Sequence, residues 1–226
     1  MAAAFCAALA LSVGVVVAIG PQSHGFRVAL DATARLNFLL FWPAYAGGAL
    51  AALFGNVFAP LRDNGRNFGL AFAAALPVHL GLVVCLCSVG DPPDARTFIV
   101  FGAAAIFTYV LALLSIPSVR RRAPERFWPP FRSLAMHYIA YAFIKDFTRH
   151  GMGGFQDMIP YGSGGLHDMI KYAPFAALAI IGPMLRFAAW IQKLRMSGQA
   201  IERPTAGHEL KAGFRAPARG SSLKPG

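Results

Sequence analysis

Charge is scarce in this chain. Only 14% of the 226 residues are Asp, Glu, Lys or Arg, and just 10 of those are acidic. Soluble domains carry about a quarter charged residues, so a water-exposed surface of ordinary size is excluded. Cysteine is scarce too: Cys6, Cys85 and Cys87 each sit in an apolar run. Cys85 and Cys87 lie about 200° apart on a helix, a poor disulfide or metal pair, and all three read as small apolar residues. There is no Walker A sequence, no H-E-x-x-H, no dinucleotide fingerprint and no covalent haem motif. Gly162-Ser163-Gly164-Gly165 has no strand before it and is no phosphate cradle.

What is present is apolar. Hydrophobic residues make up 56% of the chain and the mean hydropathy is +0.51. Runs at 2–20, 36–59, 66–90, 97–116 and 172–191 are long enough to span a bilayer as helices, the form that satisfies every backbone group within one segment. A less apolar helix is expected at 131–147. The fold class is therefore all-α, a polytopic transmembrane bundle of about six helices. The expected domains are a membrane domain, 1–195, and a basic tail, 196–226, disordered beyond about residue 200. Segment 2–20 has no basic residue before it and reads as a retained first helix, not a signal peptide. Pro21–Ala34, Pro60–Arg66, Gly90–Asp94 and the glycine-rich 151–171 are expected to be loops.

The net charge of +11 is unevenly placed. The 2–3 loop, the 4–5 segment with Arg120-Arg121-Arg122, and the tail together hold fourteen Lys and Arg. The opposite side holds six, Arg27, Arg35, Arg96, Lys145, Arg149 and Lys171, beside most of the aspartates. This asymmetry orients both termini to the cytoplasm. Basic character is thus topological, and no nucleic-acid partner is implied; the partner the pattern does imply is the lipid bilayer.

Six histidines remain. His24, His167 and His208 fall in expected loops or the tail and read as solvated. His79 lies in the middle of the third apolar run, where a titratable side chain is a functional candidate, although a hydrogen bond to a neighbouring helix would serve as well. His137 and His150 lie on the fifth helix, roughly 20 Å apart along its axis and about 1300° round it, so not on one ideal face. Neutral imidazole is a good iron ligand. His79 stands roughly 16 Å, and His137 roughly 10 Å, from the cytoplasmic ends of their helices, which allows a haem between two tilted helices. Arg62, Arg66 and Arg132 on that side are candidate propionate partners. Two other readings stay open. One is a haem-free transporter or accessory protein using Lys145, Asp146, His150 and Arg186. The other is a structural subunit that docks a partner.

Four patches resemble the ferric reductase-like transmembrane family. They are Thr33-Ala34-Arg35, like T-G-R; Arg66-Asn67-Phe68-Gly69-Leu70 followed by His79-Leu80, like R-R-x-L-G-L…L-H-L; His137 to Tyr141 with His150; and Leu185-Arg186-Phe187, like L-R-Y. The likeness spans about 33–190. The chain departs from it at Gly65, where the first arginine of the pair would stand, and at Val78 before His79. The resemblance implies haem b with His79, His137 and His150 as candidate axial and metal ligands. It implies transmembrane electron transfer in a bacterial inner membrane, from a cytoplasmic flavin donor or a quinone to a periplasmic reductase subunit. Many relatives carry further histidines on the third helix. Here Leu86 and Pro93 occupy those positions, so one haem is better supported than two. With no room for flavin or NADPH domains, the chain is expected to be an electron-transfer subunit and not a complete oxidoreductase.

Overall fold

A computed structural model describes the backbone of residues 1–121, 124–156 and 165–202; side chains within 149–171 and 198–202 are outside the described set. The described residues are almost wholly helical and include no strand. In chain order the helices are α1 (Ala2–Ile19), α2 (Ser23–Phe54), α3 (Ala59–Asp63), α4 (Gly65–Ser88), α5 (Ala95–Leu114), α6 (Pro117–Arg120), α7 (Trp128–Gln156) and α8 (Gly165–Glu202), with single 3-10 turns before α3 and α7. Five helices, α1, α2, α4, α5 and α8, are long and apolar enough to cross a membrane. Helix α7 is the sixth long helix, lowered in hydropathy by Lys145, Asp146 and Arg149. The chain is thus an all-α, multi-pass membrane protein.

Several expected loops are shorter than the sequence suggested. Pro21–Ala34 is largely helical, because α2 begins at Ser23. The reason lies in Gly25, Ala29, Thr33 and Asn37, which recur every fourth residue and are all buried. They form one packed stripe, while Arg27, Asp31 and Arg35 on other faces depress the local hydropathy. Pro60–Arg66 contains α3, with Pro60 in its first turn, where a missing N–H is harmless. The glycine-rich 151–171 is helical to Gln156 and again from Gly165. Residues 203–226, most of the expected tail, lie outside the described residues.

Two compact units emerge, Met1–Ala189 and Trp190–Gly226. In the second, the described residues continue α8 as helix to Glu202. The first is organised around α2, which packs against α1, α4 and α7. Small residues allow close approach: Ala8 of α1 and Ala75 of α4 are essentially fully buried against each other's neighbours. Between α1 and α2 the chain turns through Gly20, whose φ of +108° suits glycine alone. A Cβ on Gly25 would overlap the Gly20 carbonyl oxygen.

Aromatic rings fill the centre. Phe38, 1% exposed, meets Phe143 at 5.2 Å and Phe147 at 5.1 Å, both edge-on. Trp42 donates from Nε1 to the Leu178 carbonyl at 2.8 Å, tying α8 to α2. At one end Arg27 grips Asp91 beyond α4, Nε to Oδ2 at 2.7 Å. At the other end Arg66, at the start of α4, donates to the Ser115 carbonyl just after α5 at 2.9 Å. Arg66 of α4, Arg120 of α6 and Arg132 of α7 gather at that end of the bundle.

Candidate functional site around His79

Helix α4 carries His79 one turn past its middle. Pro77, two residues earlier, lies inside the helix and leaves a main-chain carbonyl one turn back without its usual donor. Val78 is buried and His79 partly so. The imidazole Nδ1 stands 2.9 Å from the Thr33 hydroxyl of α2. That hydroxyl is fully buried and lies 2.9 Å from the Ala29 carbonyl and 3.0 Å from the Leu30 carbonyl of its own helix. The four-residue spacing that buries one stripe of α2 thus also delivers Thr33 to His79.

The ring of His79 lines a cavity of about 60 Å³. Its walls come from α2 (Ala34, Asn37), α4 (Phe72, Leu76, Leu80), α5 (Phe101, Ala104, Ala105, Thr108) and α7 (Ile139, Ala142, Phe143, Asp146). The walls are apolar except for Asn37, Thr108 and Asp146. Thr108 turns its hydroxyl back to the Ala104 carbonyl at 2.8 Å. Asn37 is 3% exposed, and its Oδ1 is buried without a hydrogen-bond partner. An orphaned acceptor of this kind costs free energy unless something in the cavity donates to it.

A second cavity, about 150 Å³, adjoins the first and shares Phe72, Thr108 and Ile139 with it. It leads towards the arginine-rich end and is lined there by Arg66, Arg120, Arg132, Ser115 and Trp128. Arg120 stacks over Trp128, with Cζ 5.0 Å from the ring centroid. Among the described residues, no carboxylate lines this cavity. The pair of neighbouring cavities, the slot, thus has an imidazole on the wall of one and three guanidinium groups on the wall of the other.

The sequence candidates divide between this slot and other places. His79, Arg66 and Arg132 are on it. Arg62 is not: it is exposed and paired with its neighbour Asp63, Nε to Oδ1 at 3.0 Å. His137 is not on it either. Ile139, Ala142, Phe143 and Asp146 face the slot, and His137 lies about 200° round the helix from Ile139. Its Nδ1 is 2.7 Å from the Ser133 carbonyl, and its ring is exposed. His150 lies on the α7 backbone, but its side chain is outside the described residues. His24 sits exposed in the first turn of α2. Arg186 belongs to a separate group: its guanidinium lies over the Tyr45 ring at 4.8 Å and donates to the Tyr45 carbonyl at 3.0 Å.

Three participants escaped the sequence reading. Arg120 looked like one of a topological triplet. Asn37 looked like part of an apolar run. Thr33 appeared only as a letter in a short patch. The available signal for both α2 residues was their four-residue register with Gly25 and Ala29. Arg35, of the same patch, turns elsewhere, its Cζ 4.6 Å over the Tyr172 ring, whose hydroxyl donates to Asp31 at 2.7 Å.

Among the described residues, no three His, Cys, Asp or Glu side chains gather closely enough to hold a bare metal ion. Searches of protein-family models, curated proteins and solved structures found no match to this chain.

Proposed function

We propose that this chain is a b-type haem-binding membrane protein that moves electrons across a bilayer. It would serve as the membrane subunit of a reductase system and lie in a bacterial inner membrane. One observation carries the reading: a hydrogen-bonded imidazole lines one of two neighbouring cavities, and arginines line the other. An imidazole with too few His, Cys, Asp or Glu companions among the described residues to hold a bare ion suits a metal that arrives with ligands of its own, as haem iron does. The arginine end suits carboxylates such as propionates. Haem supplies one-electron redox chemistry when bound. The chain's part would be to hold the iron with His79, to keep water from the slot with Phe72, Phe101 and Phe143, and to offset negative charge with Arg66 and Arg132.

A second ligand, as the family resemblance implies, would come from α7. His137 lies off the slot, which leaves His150, whose side chain is outside the described residues, as the candidate from that helix. The resemblance to the ferric reductase-like family, and most nearly to the haem-binding membrane subunit of the bacterial protein-methionine-sulfoxide reductase system, supports the same pairing of helices. It also suggests the partners: a cytoplasmic flavin or quinone donor, and a periplasmic acceptor subunit.

The visible spectrum of the detergent-purified full chain, expressed with ample haem, tests the proposal. A Soret band and a reduced-minus-oxidised b-type difference spectrum are expected, both lost or shifted in His79→Ala. A chain without a Soret band refutes the reading. It would leave the haem-free polar path, which has Asp146 in the wall of the same cavity as His79 in its favour but must do without Arg186, held at Tyr45.

A further inference from the structure

We propose that Thr33 is a positioning residue that fixes the tautomer of His79, holding the proton on Nδ1 and presenting the Nε2 lone pair to the slot. A threonine hydroxyl has one hydrogen and two lone pairs. Oγ1 of Thr33 has three polar neighbours within 3.0 Å: the carbonyl oxygens of Ala29 and Leu30, and Nδ1 of His79. Carbonyl oxygens only accept. If the hydroxyl hydrogen went to Nδ1, the oxygen lone pairs would face two carbonyl oxygens at hydrogen-bond distance with no proton between them. Sending the hydrogen to the helix carbonyls removes that repulsion and leaves a lone pair for His79. Nδ1 must then be the donor, and a neutral imidazole that donates from Nδ1 keeps its lone pair on Nε2.

Burial strengthens the assignment. Thr33 is 0% exposed, so water cannot replace either partner. The two atoms also lie on different helices, α2 and α4, so the bond sets the rotation of the ring as well as its protonation. Metal-bound imidazoles commonly donate their other N–H in this way, and losing such a partner costs about 10–100-fold in metal affinity. The role proposed for Thr33 towards iron rests on the haem reading; the tautomer itself does not.

The two can be tested apart. The full-length chain, labelled with 15N-histidine and prepared without haem in detergent micelles, gives six histidine signals, and the one missing in His79→Gln belongs to His79. Its ring nitrogens should report a protonated Nδ1 and an unprotonated Nε2. A protonated Nε2 overturns the proposal, whatever the haem content of the wild type. Thr33→Val, nearly the same shape without the hydroxyl, should lose the Nδ1–H form, and Thr33→Ser should keep it. In the haem-loaded protein, Thr33→Val should weaken haem retention about 10–100-fold and shift the low-spin signal, with Thr33→Ser restoring both. An unchanged tautomer in Thr33→Val overturns the proposal. If Thr33→Val does not fold, the wild-type and Thr33→Ser spectra still decide. A chain that binds no haem yet shows Nδ1–H at His79 refutes the function and leaves this inference standing.

Discussion

The ring of His137 meets the ring of Tyr45 edge-on, centroids 5.6 Å apart and planes at 83°. This contact places His137 against α2 and the Arg186 side of the bundle, while its helix turns Ile139 and Phe143 to the His79 slot. The two histidines expected to share a cofactor thus differ in place: His137 lies on one face of α7, and the slot lined by His79 on another. The difference yields a spectroscopic expectation. His79→Ala should abolish or grossly shift the low-spin haem spectrum, and His137→Ala should leave it in place. Loss of the spectrum in His137→Ala with a folded chain would reverse the assignment.

The Arg27–Asp91 pair is a pH-dependent clasp. Hydrogen bonds from the Arg27 guanidinium hold the Asp91 carboxyl below its ordinary value of 3.8. A depressed carboxylate contributes stability above its unfolded value, and that contribution is lost as pH falls through the lower folded value. Asp91→Asn should therefore lower the Tm by a constant, small amount between about pH 5 and pH 7. The gap should narrow as the pH falls below the ordinary carboxyl value and close once it has passed the lower folded value. Both partners are partly exposed, so 1 M salt should shrink it at neutral pH. A difference that widens in acid would refute the clasp.

Phe38 is the central ring of the core, in edge contact with Phe143, Phe147 and, at 6.2 Å, Phe175. Truncation to alanine would leave a cavity between α2, α7 and α8. Large-to-small changes of this type cost about 3–5 kcal/mol in soluble cores. Lipid is as apolar as the core, so chiefly the packing part applies here, and a loss of about 3 kcal/mol is expected. Denaturant titration in mixed micelles measures it. A loss below about 1 kcal/mol would mean that the rings repack freely.

The helical bundle was legible because bilayer-length apolar runs have few alternatives to a helix. Gly25 to Thr33 was not, since hydropathy averages over the faces of a helix and this segment buries only one of them. Much the same limit hid half of the site. His79 stood out because a mid-run imidazole is rare, whereas the neutral Thr33 and Asn37 are ordinary in apolar runs and gain meaning only from what α4 places opposite them. Depth estimates brought His79 and His137 to comparable levels, yet depth says nothing about rotation. Two residues of register separate His137 from the slot, and the neighbours of α7 decide which face turns inward.

The arginines of the slot should tune redox potential, and they should do so selectively. A positive charge favours the reduced form of a nearby one-electron centre, so its removal lowers the midpoint. At about 10 Å and an effective dielectric constant of about 20, one charge changes the energy by roughly 1.7 kcal/mol, or roughly 70 mV for one electron. Arg66 and Arg132 line the slot, but their exposure to solvent brings the expected shift down to tens of millivolts. Arg66→Gln and Arg132→Gln should each lower the midpoint by that order, most clearly at low salt. Arg62→Gln is the internal control. Arg62 already pairs with Asp63 at 3.0 Å and lies off the slot, so replacing it should move the midpoint little. Potentiometric titration of the three variants beside the wild type gives the answer. Equal shifts in all three would reduce the arginines to a general surface potential, and a larger shift in Arg62→Gln than in Arg66→Gln would place the carboxylate end of the cofactor elsewhere.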